Sequence, residues 1–251
     1  MNFKSTALLA ARKAGKVLLK YYGKKPNVMK KSDKTFVSKA DIEANKAIID
    51  TIKKNFPDHS ILSEETGFED NKSDYKWVLD PLDGTHNFIH EIPLFGTSIA
   101  LEYKDKPIVG VLHFPILRQT VVAEKGKGAF LNGKKVHVSN KKTFEHSLIV
   151  VDYGYRKRQK KLNFLQNLTD ERIDVRNLGS AIYGLLLVSC GNSDGYVIIS
   201  TNEWDIAAGF LIVEEAGGKI TDLNGRNTMP QHEEFVMSNG KLHKELLKRL
   251  K

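Results

Sequence analysis

The sequence has little of what marks secreted, disulfide-linked or membrane proteins. Its 251 residues include a single cysteine, Cys190, which excludes an intrachain disulfide and leads us to expect a reducing compartment, the cytoplasm. No apolar run approaches the roughly 20 residues that span a bilayer; the longest candidate, Leu185 to Val188, is interpreted as part of a buried helix. The N-terminus has no compact apolar block followed by a cleavage-like site, so we interpret it as an amphipathic helix of the mature protein.

Several common site signatures are also missing. The histidines show no metal-ligand spacing, and Cys190 lies in an apolar stretch, so zinc sites and thiol catalysis are not expected; the histidines considered are His86, His90, His113, His137 and His146. The glycines at 126–128 and 217–218 match neither a P-loop nor a dinucleotide fingerprint. These glycine pairs are predicted to be turns.

Basic residues outnumber acidic residues by 39 to 30, which gives a formal net charge of +9 and favours anionic partners in a general way. The lysines are scattered and lack interleaved aromatic residues, so we interpret them mainly as solvated surface and expect neither nucleic acid nor a membrane as partner. The densest basic cluster, residues 156–161, is predicted to be the exposed start of a helix. An anion or partner patch is the other interpretation of this cluster.

Apolar periodicity predicts an α+β protein in two halves, residues 1–140 and 141–251. In the first half, two amphipathic helices (8–22 and 38–56) precede short strands with turns between them, which is typical of helices over a largely antiparallel sheet. The predicted strands of that half are 77–79, 97–103, 107–114 and 120–124. In the second half, strands at 147–151 and 172–175 alternate with helices near 157–168, 180–190 and 204–216, which indicates a second α/β layer.

The most informative stretch is 77–88, where an apolar run ends in Asp80 and is followed by Pro81, Leu82 and Asp83. An apolar run of this kind predicts a buried strand, and a Pro-containing turn at its end brings two carboxylates toward one point. Carboxylate oxygens are the ligands that Mg²⁺ prefers. In two-metal sites the ions lie ~4 Å apart and share a bridging carboxylate, for which Asp80 is the candidate.

Gly84 and Thr85 follow directly, and their backbone N–H groups are candidates to hold a phosphate. The Thr85 hydroxyl is a candidate to share a nucleophilic water with Glu64 of the Ser63-Glu64-Glu65 segment. An ordinary helix N-cap is the alternative for Gly84 and Thr85. Asp205 lies in the first turn of an Ala-rich helix, where an acid is either a metal ligand or a capping residue.

Three segments in this order, Ser63-Glu64-Glu65, the 80–88 motif and Trp204-Asp205-Ile206-Ala207-Ala208-Gly209, resemble the inositol monophosphatase family of Mg²⁺-dependent, lithium-sensitive phosphatases. The resemblance extends over nearly the whole chain. It implies a layered α-β-α-β-α fold, a homodimer and two to three Mg²⁺ ions.

The resemblance also implies a role for each matching residue. The first metal would be surrounded by Glu64, Asp80, the Leu82 carbonyl and Thr85, and the second by Asp80, Asp83 and Asp205, with a weaker third ion near Glu64. Thr85 and Glu64 would orient the water, and Asp41 would accept a hydrogen bond from Thr85. The substrate would be bound by Asp83, Gly84, Thr85 and the loop Gly179, Ser180 and Ala181.

One position departs from the family pattern. Many members that hydrolyse inositol phosphates have a ring-binding Glu seven residues before the last aspartate, and this chain has Ile198 there; Glu203 is a partial substitute at best. The leading hypothesis is a phosphomonoesterase for inositol-1-phosphate or fructose-1,6-bisphosphate. The alternatives are a 3′,5′-bisphosphate nucleotidase, a histidinol-phosphate phosphatase, and a non-enzymatic regulator that binds RNA or protein.

Overall fold

The computed structural model describes residues 2–24, 28–30, 36–152, 157–168 and 173–250. The helices are α1 (Phe3–Tyr21), α2 (Lys39–Asn55), α3 (Thr85–Ile89), α4 (Arg158–Asn167), α5 (Ala181–Ser189), α6 (Glu203–Glu215) and α7 (His243–Arg249). The strands are β1 (Val28–Lys30), β2 (Phe36–Ser38), β3 (Ser60–Ser63), β4 (Gly67–Glu69), β5 (Tyr75–Asp83), β6 (Gly96–Tyr103), β7 (Lys106–Phe114), β8 (Gln119–Glu124), β9 (Ala129–Leu131), β10 (Lys134–Val136), β11 (Ser147–Val151), β12 (Ile173–Arg176), β13 (Gly195–Ile199), β14 (Lys219–Thr221) and β15 (Glu234–Ser238). No helix in the described ranges is long and apolar enough to cross a bilayer.

Two large sheets organise the chain. An eight-stranded sheet has the order β10-β9-β8-β7-β6-β5-β3-β4, and its strand pairs are antiparallel except β3 with β5. A five-stranded mixed sheet has the order β12-β11-β13-β15-β14, in which β11 runs parallel to both of its neighbours. Strands β1 and β2 form a separate antiparallel pair.

The eight-stranded sheet is covered by helices on both faces, because its central strands are apolar on both. Trp77 and Leu79 point into an apolar cluster with α1 and α2, whereas Val78, between them, points into a cluster with α5 and α6. Helix α6 lies between the two sheets. Its residues 206–213 are all buried, as expected for a helix that is enclosed on every side.

The second sheet completes the layers. One of its faces packs on α5 and α6, and its other face packs on α4 and α7 through Val151, Val197, Phe164 and Leu246. The layered α-β-α-β-α fold expected from the sequence is therefore confirmed. The division at residue 140 stays a prediction.

The structure overturns one local prediction and covers two others in part. The turn predicted at Pro81 to Asp83 is wrong, because β5 continues to Asp83 and only its register with β6 shifts between Asp80 and Asp83. The basic cluster is described from residue 157 onward, since residue 156 lies outside the described ranges, as does residue 172 of the predicted strand. Lys157 and Lys160 form ion pairs with Glu233 and Glu234, so these two lysines are partly neutralised.

Candidate active site

The site begins where the pairing between two parallel strands ends. Strands β3 and β5 pair in parallel, with Ser63 opposite Leu79, and the Glu64 N–H donates to the Leu79 carbonyl at 3.1 Å. The residues that follow, Glu64 and Asp80, therefore lie next to each other at the carboxyl end of β3. Carboxyl ends of parallel strands are where open α/β sheets bind ligands.

The irregularity in β5 directs two carboxylates to one side. The Leu82 N–H donates to Asp80 Oδ1 at 2.9 Å, and the Thr97 hydroxyl donates to the Pro81 carbonyl at 3.0 Å. The strand then pairs again at Asp83 with Gly96. The single extra residue on β5 forms a bulge, which re-aims side chains in a strand. This bulge performs the function that the sequence assigned to a turn.

Asp205 is supplied by the start of α6. Asn202 and Asp205 form a capping box, and Asp205 Oδ2 accepts hydrogen bonds from the Thr201 hydroxyl and the Asn202 N–H, both at 2.9 Å. A third, longer bond from the Asn202 side chain also ends on Oδ2. The capping and ligand interpretations are therefore compatible, because Oδ2 caps the helix while Oδ1 is left to bind a cation.

The three aspartates meet. Asp80, Asp83 and Asp205 each present an oxygen, and these atoms lie within 4.8 Å of one another. Asp80 is 1% exposed and Asp83 is 8% exposed. Burial, followed by repulsion from Glu64, Asp83 and Asp205, raises the pKa of Asp80 well above its ordinary value.

The other two acids are perturbed in the same direction. Burial is the main cause that raises the pKa of Asp83 to about 7 and that of Asp205 to about 6. Like charges confined in this way favour a bound cation, and an all-oxygen donor set fits a hard ion such as Mg²⁺. The residues present therefore fit the metal that the fold family implies. Glu64 is close enough to repel both Asp80 and Asp205, although it is not part of the compact triad.

The predicted substrate loop reaches the triad. Ser180 caps α5, its hydroxyl donates to Asp83 Oδ2, and the Ala181 N–H donates to Asp83 Oδ1 at 3.1 Å. Gly179 adopts φ +65°, and a Cβ there would lie 2.9 Å from the Asn87 Oδ1. Only glycine suits this position without strain.

Asn87 was missed by sequence reasoning. Its side-chain amide donates to the Leu94 carbonyl at 2.7 Å and to the Leu178 carbonyl at 2.8 Å, so it connects the 84–95 segment to the substrate loop. The available signal was its position in the 80–88 motif. The sequence gives no indication that its partner lies 91 residues away.

Gly84 and Thr85 lie beside the aspartates at the start of α3. Gly84 is the N-cap, with φ +79°, and a Cβ there would meet the Leu94 carbonyl at 2.8 Å. Thr85 Oγ1 donates to the Leu82 carbonyl at 3.1 Å. Asp41 is buried in the first turn of α2. Since a hydroxyl donates one proton, a hydrogen bond from Thr85 to Asp41 is an alternative to the bond with Leu82, and it stays a prediction.

Neither Ile198 nor Glu203, the two residues considered for inositol recognition, offers a free carboxylate to a ligand. Ile198 is fully buried in β13 and packs in the cluster shared with α5 and α6. Glu203 binds Lys76 at 2.8 Å, so its carboxylate is already engaged in an ion pair. Glu203 is therefore a poor substitute for the ring-binding acid.

Comparison with known proteins places this geometry in context. The sequence model of the inositol monophosphatase family matches residues 2–251. The chain is 38% identical to a fructose-1,6-bisphosphatase/inositol-1-monophosphatase of Thermotoga maritima, with 94% of this chain and 91% of the relative covered. It is 37% identical to the Nus factor SuhB of Pasteurella multocida, with 97% and 94% covered.

Solved structures agree. The extragenic suppressor protein suhB from Bartonella henselae superposes with a TM-score of 0.94 at 35% identity, covering 98% of this chain and 97% of that one. The Thermotoga maritima IMPase superposes with a TM-score of 0.89 at 38% identity, covering 98% and 94%. Matching motifs, fold and acidic triad lead to one conclusion: the chain belongs to the inositol monophosphatase family.

Proposed function

We propose that the protein is a Mg²⁺-dependent phosphomonoesterase that acts on a small polyol or sugar phosphate, with inositol-1-phosphate and fructose-1,6-bisphosphate as the leading substrates. The observation that carries the proposal is the triad of Asp80, Asp83 and Asp205, whose oxygens lie within 4.8 Å of one another. A buried cluster of acids destabilises the protein unless a cation neutralises it, and a hard cation also attracts phosphate oxygens.

The proposed ligands for two to three Mg²⁺ ions are Glu64, Asp80, the Leu82 carbonyl, Thr85, Asp83 and Asp205. Bound metal supplies charge neutralisation of the phosphate and a more acidic water. Thr85 donates its proton to the Leu82 carbonyl, so its oxygen is left as an acceptor that orients the attacking water. Glu64 lies at the same edge and is the proposed acceptor of the water's proton, while the departing alkoxide takes a proton from solvent.

The substrate's alcohol portion is assigned to the loop at Gly179, Ser180 and Ala181. The phosphate is assigned to the backbone N–H groups of Gly84 and Thr85, which follow Asp83. The hydrogen bond from Ser180 to Asp83 supports this assignment, because it places the loop next to a proposed metal ligand. A homodimer, sensitivity to lithium and a cytoplasmic location are included in the proposal, the first two from family membership and the last from the lone cysteine.

The test is phosphate release with Mg²⁺ from four compounds: inositol-1-phosphate, fructose-1,6-bisphosphate, 3′-phosphoadenosine 5′-phosphate and histidinol phosphate, each with and without lithium. We expect activity on one of the first two, abolished by Asp80→Asn. Asp50→Asn is the matched control, because Asp50 is an exposed acid of α2 paired with Lys46. Preference for the third or fourth compound would replace the substrate assignment. Full activity of Asp80→Asn would overturn the metal assignment.

A second candidate is a regulator that binds RNA or protein. One observation favours it: several relatives 34 to 37% identical carry the name Nus factor SuhB. Metal binding without hydrolysis of any of the four compounds would move this candidate to the front. The paired state of Lys157 and Lys160 argues against those two lysines as its anion-binding surface.

A further inference from the structure

A second polar cluster lies on the same strand and the same helix as the acidic triad. Lys76 of β5 binds Glu102 of β6 at 3.0 Å, Asp105 at 3.1 Å and Glu203 of α6 at 2.8 Å. The three ammonium protons of Lys76 are thus matched by three carboxylates. We name Lys76, Glu102, Asp105, Glu203 and Gln231 the Lys76 cluster.

Lys76, Glu102 and Glu203 of the Lys76 cluster are sheltered from water, whereas the Asp105 side chain is 67% exposed. The Lys76 side chain is 15% exposed, Glu203 16% and Glu102 0%. Gln231, from the segment between β14 and β15, donates to Glu102 at 3.2 Å and to Glu203 at 3.2 Å. Sheltered ion pairs of this kind fix geometry more firmly than surface pairs, which exchange with water.

The geometry connects the two clusters. Asp80 lies four residues after Lys76 on β5, and Asp205 lies two residues after Glu203 on α6. The bond between Lys76 and Glu203 therefore joins the same strand to the same helix that a metal ion would join through Asp80 and Asp205. It holds the start of α6 against the sheet, although the three aspartates repel one another.

We propose that Lys76 and Glu203 are positioning residues that hold Asp205 at the distance from Asp80 and Asp83 that Mg²⁺ requires. This inference rests on the proposed function, because it assumes that the triad binds metal. Groups that orient metal ligands typically change metal affinity by 10–100-fold when they are replaced. Catalysis at saturating Mg²⁺ depends on them much less.

Lys76→Met separates positioning from simple electrostatics. Loss of a positive charge near the triad strengthens cation binding if only the local field matters. Loss of the bond to Glu203 weakens cation binding if positioning matters. The two explanations thus predict opposite changes in the Mg²⁺ affinity of Lys76→Met. Lys46→Met is the matched control, because it removes a lysine from an exposed ion pair with Asp50 on α2.

A second pair of variants covers the case in which Lys76→Met fails to fold. Glu203→Ala removes both the charge and the acceptor, whereas Glu203→Gln removes the charge and keeps an oxygen that Lys76 can bind. In both variants Lys76 keeps Glu102 and Asp105 as partners. Positioning predicts a larger effect for Ala than for Gln, and a pure charge effect predicts equal ones.

The measurement is Mg²⁺ binding by titration calorimetry on the full chain without substrate, alongside thermal unfolding in EDTA. We expect Kd to rise roughly 10-fold for Lys76→Met and Glu203→Ala, to change less than about 3-fold for Glu203→Gln, and to stay constant for Lys46→Met. Unchanged or tighter binding by folded Lys76→Met overturns the inference, as does equal weakening by both Glu203 variants. Absence of Mg²⁺ binding by the wild type would instead overturn the proposed function on which the inference rests.

Discussion

Replacing Asp205 by Asn should stabilise the metal-free protein while weakening its stabilisation by metal. Burial raises the pKa of Asp205 from 3.8 to about 6, so the folded state holds this carboxylate in its charged form at a cost. An Asn carbonyl oxygen can replace Oδ2 as acceptor for Thr201 and Asn202. The new amide then faces Asp80 and Asp83 as a donor instead of a third negative charge.

The magnitude follows from the pKa difference. Each pH unit between the unfolded and folded pKa is worth ~1.4 kcal/mol, which gives an upper limit of about 3 kcal/mol. Asp205 is partly exposed, and solvent screening reduces the expected gain to about 1–3 kcal/mol. The sign is fixed by the raised pKa: below about 4 the acid is protonated in both states and the variant gains nothing. The gain appears as the pH rises and is complete above about 6.

The assay is urea unfolding at pH 7.5 and pH 4, in EDTA and in Mg²⁺. We expect Asp205→Asn to be more stable than the wild type in EDTA at pH 7.5, nearly equal to it at pH 4, and stabilised less by Mg²⁺ than the wild type, because only the first proposed metal keeps all its ligands. The reasoning is refuted if the variant is less stable in EDTA at pH 7.5, or if Mg²⁺ stabilises it as much as the wild type.

Three further predictions concern other parts of the molecule. Thr85→Ala should lower kcat more than it raises KM, because the role proposed for Thr85 is to orient the attacking water; steady-state kinetics decide, and a pure rise in KM would contradict the role. Gly179→Ala should raise KM at least several-fold, because the new methyl group meets Asn87 at a strained φ, whereas Gly126→Ala, which also changes a positive φ but meets nothing within 4 Å, should leave KM unchanged. Burial lowers the pKa of His243 from 6.5 to about 4, so the unfolded chain binds its proton first and stability falls by about 2 kcal/mol between pH 7 and pH 5. Urea unfolding at both pH values gives the free energy of unfolding of the wild type and of His243→Gln, and the difference between them isolates this contribution. An identical pH dependence in both proteins would exclude it.

The hydrogen bonds around His243 explain why its neutral form is favoured. Thr221 donates its one hydroxyl proton to the Asp222 carbonyl at 2.8 Å, so it accepts from His243 Nε2–H at 2.9 Å. The Ser238 hydroxyl, 2.9 Å from Nδ1, then donates to that nitrogen. A second ring proton would face this donor, which adds to the cost of burying the charge.

Local patterns were enough to predict the elements that carry the acids. The apolar run at 77–79 predicted the strand before Asp80, and the apolar run after Glu203 predicted α6 to within a residue. Each pattern extends over only about ten consecutive residues, so it can be recognised without knowing the distant contacts. The ability of a carboxylate to bind a cation is likewise a property of the residue type.

Features created by distant partners could not be predicted in this way. The bulge in β5 lies against β6, where Thr97 donates a hydrogen bond to Pro81, whereas a local pattern shows only Pro and Asp, which equally suggest a turn. Strand β13 is a five-residue apolar run that resembles a buried helix segment until its pairing with β11 and β15 is known. The bond between Lys76 and Glu203 joins residues 127 positions apart, so no spacing rule contains it.

The placement of α6 has a consequence for how the substrate range of such a protein can change during evolution. Its residues 206–213 are enclosed by both sheets, so a substitution there disturbs the core and the position of Asp205 together. Activity then falls on every substrate alike. Gly179 of the proposed substrate loop and Asn177, two residues before it, are exposed, and a new side chain at Asn177 leaves the enclosed helix untouched. A lineage built on this scaffold can therefore exchange the alcohol that it recognises while the phosphate chemistry stays fixed.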